Sequence, residues 1–156
     1  MRHPVHKVLL YDECTDEELT PGWGGAIFLD RVNNAHSRGN WRDSDTKVEF
    51  FVDQTDGVSW FDVSHIGGFS LPTTVFGNDK KGGCAVDKLV GCPVEWQVRE
   101  REDGPVLQCR NDGSEAAKRY FEYECPNTYV RYNDDAQGTK AATGFPTHLD
   151  VIIKTA

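Results

Sequence analysis

KVEFFVDQTDGVSWFDVSHIGGFSLPTTV, residues 47–75, is the stretch on which the fold turns. Val48, Phe50 and Val52 alternate with Lys47, Glu49 and Phe51; Trp60, Asp62 and Ser64 alternate with Phe61, Val63 and His65. A period of two is the mark of a half-buried strand, so this is a β-hairpin around a polar turn. With the turn at Gln54-Thr55-Asp56-Gly57, Asp53 faces Val58 and Glu49 lies directly opposite Asp62, both on the face away from the core. Opposed side chains stand about 5 Å apart at Cβ. Two carboxylates that close resist both being ionised, so one is expected to hold its proton more tightly. A protonated carboxyl beside an ionised one is what acid/base chemistry on a glycosidic bond uses, and the pair equally suits a cation or a hydroxyl. The competing reading is structural. Both acids point into water and are offset by Lys47 or Arg42, and a register slip of one residue separates them.

Outward from the hairpin, short strands and turns continue. Residues 5–11 (VHKVLLY) and 21–32 (a Gly-rich turn and a strand) precede it. Between them, residues 12–18 hold five acids and read as a solvated loop. Glycines and prolines break up 67–83; 84–92 reads as one helical turn closed by Gly91 and Pro93. Residues 94–100 and 105–110 form a strand pair around the REDG turn. SEAAKRYFEYECP (114–126) is the one clear helix, capped by Ser114 and stopped by Pro126, with Ala117, Tyr120, Phe121 and Glu124 on one face. TYVRY (128–132) and LDVIIKT (149–155) read as further strands. The fold class is mainly β, a β-sandwich with one short helix, in a single domain over residues 1–156.

The composition narrows the function. A net charge of −8 repels nucleic acid and anionic membrane surfaces, and admits a cationic or neutral polar partner such as a sugar. No apolar run approaches the roughly 20 residues of a membrane span, and VLLY is too short for a signal-peptide core. Of the five cysteines, the closest two, Cys84 and Cys92, stand too far apart for a zinc knuckle. Two disulfides and a spare thiol fit an exported protein; five reduced thiols fit a cytosolic one. No phosphate-binding loop, His-Glu-x-x-His or Gly-x-Ser-x-Gly is present, so no metal or nucleotide cofactor is expected.

Three motifs then resemble one family. WFDVSHIGGFSLPTTV is similar to the Tyr-x-Asp-[Ile/Val]-Ser-x-[Ile/Val]-x-Gly-Phe-[Asn/Ser]-[Leu/Val]-Pro segment of the thaumatin-like proteins. GGCAVDKLVGCPVEW resembles their Cys-Ala-x-x-[Ile/Leu]-x-x-x-Cys-Pro stretch, and YFEYECPNTYVRYNDD their Phe-Lys-x-x-Cys-Pro-x-Ala-Tyr-x-Tyr-x-x-Asp-Asp stretch. The order agrees, VEF fits the family's Ala-Glu-Phe strand, and the likeness runs from residue 47 to 156. It implies a β-sandwich with disulfide-tied loops, Cys84 bonded to Cys125 and Cys92 to Cys109, and an acidic cleft on Glu49, Asp62 and Asp134. Arg42 takes the place of the family's cleft arginine. Two departures stand out. Gly67 replaces a further cleft aspartate, and Cys14 has no partner, because Lys154 stands where the family's terminal cysteine would be.

The resemblance implies a secreted monomer that binds, or weakly hydrolyses, a polysaccharide such as β-1,3-glucan, of the defence, antifungal or effector type. Trp60, Tyr132, His65 and Arg42 are the candidate substrate-binding residues, with His65 also open to a structural role on the opposite face from Asp62. Glu49, Asp62 and Asp134 are the candidate catalytic acids. Two alternatives stand beside it. One is an enzyme using the same acids for aldol or dehydration chemistry on a small metabolite. The other is a non-enzymatic effector that binds a protein.

Overall fold

A computed structural model describes residues 6–10, 15–19, 24–29, 44–52, 59–77, 80–134, 142–144 and 148–153. The strands, in chain order, are β1 (His6–Leu10), β2 (Thr15–Leu19), β3 (Gly24–Leu29), β4 (Thr46–Val52), β5 (Ser59–Ser64), β6 (Gly68–Phe69), β7 (Thr73–Gly77), β8 (Lys80–Cys84), β9 (Gln97–Val98), β10 (Gln108–Arg110), β11 (Ala142–Gly144) and β12 (His148–Ile153), with the helix α1 (Glu115–Glu122) between β10 and β11. They form a five-stranded sheet, β2-β1-β12-β7-β8, a four-stranded sheet, β11-β5-β4-β3, and a small sheet, β6-β10-β9. All pairs are antiparallel except β1 with β12.

The two larger sheets meet where β5 lies against β7 and β8. Alternation makes this possible. Val48, Phe61 and Val63 point inward and are buried with Val75 of β7. The close approach is made by Gly83, at φ +92°, where a Cβ would stand 2.3 Å from the Thr73 carbonyl oxygen and 2.8 Å from Val63 Cγ2. Only glycine tolerates both the space and the backbone there.

A second core lies beyond the end of β5. Phe69, Trp96, Ala117, Phe121 and Val130 enclose the Cys92–Cys109 bridge. Ser114 caps α1 by accepting the Ala117 amide at 3.1 Å, and Ala117 and Phe121 form its buried face. Two disulfides fasten this region: Cys84–Cys125, with Cα atoms 5.1 Å apart, and Cys92–Cys109, at 6.0 Å. Both are the pairs that the resemblance implied.

Four local expectations need correction. The acidic stretch 12–18 is not wholly a loop, because Thr15–Leu19 forms the edge strand β2; an edge accepts charged residues that a central strand could not. The stretch 67–83 holds β6, β7 and all but the last residue of β8. Residues 94–96 are a 3-10 turn, so the expected strand pair shrinks to β9 and β10. TYVRY contributes a single bridge, Tyr129 to Ser64, and then turns. The hairpin turn at 53–58 lies outside the described residues.

Candidate functional site

The register of the four-stranded sheet builds its outer face in rows. β4 and β5 set Lys47 opposite Ser64, Glu49 opposite Asp62 and Phe51 opposite Trp60. β3 sets Phe28 opposite Lys47 and Ala26 opposite Glu49. The expected opposition of Glu49 and Asp62 is therefore present in the sheet. Their neighbours Val48, Phe61 and Val63 occupy the buried inner face, so alternation directs both carboxylates outward. Glu49 and Asp62 are half-buried. Trp60 is 46% exposed and stands two residues from Asp62 on the same side of β5, about 6.6 Å along the strand.

Lys47 occupies the next row. Its Nζ lies 5.4 Å from the centroid of the Phe28 ring, a cation–π contact that draws the ammonium toward β3. The face thus runs from a cation seated on an aromatic ring, through two acids, to a half-exposed indole. Such a surface can accept hydroxyl hydrogen bonds at its centre and stack a flat apolar ring at one end.

The other sequence candidates fall elsewhere. Asp134 is 1% exposed, and its Oδ2 accepts the amides of Val130 at 2.7 Å and Arg131 at 3.0 Å. It holds a turn beside β5, to which the chain is tied by Tyr129 N–H donating to the Val63 carbonyl at 2.9 Å. Its Oδ2 thus serves as a turn-forming acceptor. Tyr132, in that turn, is 89% exposed. The neighbouring Arg131 binds α1 through Glu122 at 2.7 Å and Glu115 at 3.4 Å. His65 is fully buried in the second core, edge-on to Phe69, so a ligand on the outer face does not reach it. Arg42 and Cys14 lie outside the described residues.

Sequence reasoning did not find the seating of Lys47 on Phe28, although the alternation of β4 places Lys47 on the face of Glu49. Among the described residues, no three His, Cys, Asp or Glu side chains gather as a metal site, and no helix is long and apolar enough to cross a membrane.

No family model matches the chain. Individual proteins do. It is 28% identical over 130 residues to Thaumatin-like protein 1b of Malus domestica, covering 67% of this chain and 61% of that one. It is 30% identical over 122 residues to Zeamatin of Zea mays, covering 65% and 52%. It is 26% identical over 129 residues to a Glucan endo-1,3-beta-glucosidase of Prunus avium, covering 66% and 52%. The chain spans about half to three-fifths of the length of these relatives. With the mainly β fold and, among the described residues, one α-helix and two disulfides where the motifs require them, these likenesses support a thaumatin-like family member.

Proposed function

We infer that this chain is a secreted, defence-type protein that binds a polysaccharide of the β-1,3-glucan kind in an acidic cleft floored by the outer face of β3, β4 and β5. The observation that carries the reading is the direct opposition of Glu49 and Asp62, with the half-exposed Trp60 one step along β5. The carboxylates accept hydroxyl hydrogen bonds from the sugar, and the indole covers the apolar face of a neighbouring pyranose. A bond between the two sugars then lies over the acid pair. Hydrolysis, if the bound chain is cleaved, uses one of Glu49 and Asp62 to protonate the glycosidic oxygen and the other to assist water. Support for a glucan comes from the similarity to a protein named as a glucan endo-1,3-beta-glucosidase. Support for secretion comes from the two disulfides, which persist in oxidising compartments.

The test is co-sedimentation with insoluble β-1,3-glucan, with cellulose as control. The wild-type chain is expected to be retained by the first. Glu49→Gln with Asp62→Asn, and separately Trp60→Ala, each weaken retention by about tenfold, or roughly 1.4 kcal/mol. Retention unchanged in a folded double variant overturns the site. No retention of the folded wild type overturns the ligand and turns attention to a small metabolite or a protein partner.

A further inference from the structure

His65, the residue after β5, is fully buried. Its ring lies 5.3 Å from the Phe69 ring and 5.9 Å from that of Phe121 of α1. Neither Nδ1 nor Nε2 has a hydrogen-bond partner among the described residues. Such groups are rare in a folded protein, because each leaves a polar atom without the water it gives up. The main chain holds the residue in place. Its N–H donates to the Tyr129 carbonyl at 2.7 Å, and its own carbonyl accepts from Asn111 Nδ2 at 3.0 Å.

The charges facing the ring make protonation worse. Burial comes first and Lys88 second, and together they lower the pKa of His65 to about 3. Lys88 comes from the 85–92 loop, with its Nζ 2.9 Å from Glu124 and 4.3 Å from the Tyr120 ring centroid. Phe69 from β6, Phe121 from α1 and Asn111 after β10 bring no ionisable group. Tyr120 of α1 has its own pKa raised by burial and stays neutral in acid. Asp134 in the following turn keeps its Oδ2 on the amides of Val130 and Arg131.

We propose that His65 is an acid-sensitive latch: when its ring takes up a proton, the region carrying α1 loosens from the end of β5 while the β-sandwich stays folded. An imidazolium needs water, and this ring can reach water only if it parts from Phe69 and Phe121. The sign follows from linkage. The open form binds a proton near the ordinary value of 6.5 and the closed form only near 3. Closure is therefore unaffected above pH 6.5, is weakened by about tenfold per pH unit below it, and levels off near pH 3. Cys84–Cys125 ties the loosened region to β8, so opening is local and reversible.

The experiment is amide hydrogen exchange from pH 7 to pH 3.5, corrected for the intrinsic pH dependence of exchange. Amides of 115–122 are expected to lose protection by about tenfold per pH unit below 6.5, while those of β4 and β5 keep theirs. His65→Leu, of similar size and without ionisable atoms, removes that slope. The proposal is overturned if His65→Leu keeps the wild-type slope, or if both regions lose protection together. Should that variant not fold, imidazole NMR of the wild type decides. A ring neutral down to the onset of opening supports the latch; a ring titrating near 6.5 in the closed protein overturns it.

Discussion

The carboxylate of Asp134 accepts two amides from within a turn where almost no solvent reaches it. Asp134→Ala removes the acceptor and leaves the Val130 and Arg131 N–H groups without this partner. Unfolding in urea is expected to show a loss of about 2 kcal/mol; an unchanged midpoint would deny the residue its turn-holding role. The contrast with Glu49 and Asp62 shows what a sequence discloses at this scale. Those two lie on strands, where a period of two and one register fix face and neighbour together. Alternation likewise sent His65 to the face opposite Asp62, where it is buried, although the Phe69 and Phe121 rings around it come from distant elements. Asp134 sits in a turn, where side-chain direction follows from backbone angles that no pattern of polar and apolar residues encodes.

β8, KKGGC, is the element least like a strand in composition and among the most constrained in space. Gly83→Ala drives a methyl into the Thr73 carbonyl and Val63 in a left-handed backbone conformation. The expected cost is about 3 kcal/mol, read as a lowered denaturation midpoint, since β7 cannot move away without disturbing the sheet contact. A variant as stable as the wild type would mean that the two sheets can separate at this point. β8 escaped the sequence reading because glycine there serves packing, while strand recognition relies on branched and aromatic side chains. β2 escaped it because an edge position overrides an acidic composition. The hairpin of β4 and β5 and the capped helix were legible because local preference and tertiary role agree in them.

At the scale of the molecule, two covalent loops hold the second core. Replacing Cys84 and Cys125 together by Ser is expected to cost about 4 kcal/mol, and replacing Cys92 and Cys109 about 3 kcal/mol, from the chain lengths closed, 41 and 17 residues. Thermal unfolding of each double variant measures this, and equal losses would show that loop entropy is not the controlling term. Cysteine number and spacing left the pairing open; the motif resemblance supplied it. The five-stranded sheet also has an implication for synthesis. β12 lies between β1 and β7, with β1 aligned parallel to it. On a ribosome the hairpin of β1 and β2 emerges before this neighbour, which is translated more than a hundred residues later. Until then β1 presents an unfilled edge, while the acids of β2 charge the other side of the hairpin against pairing with a neighbouring chain.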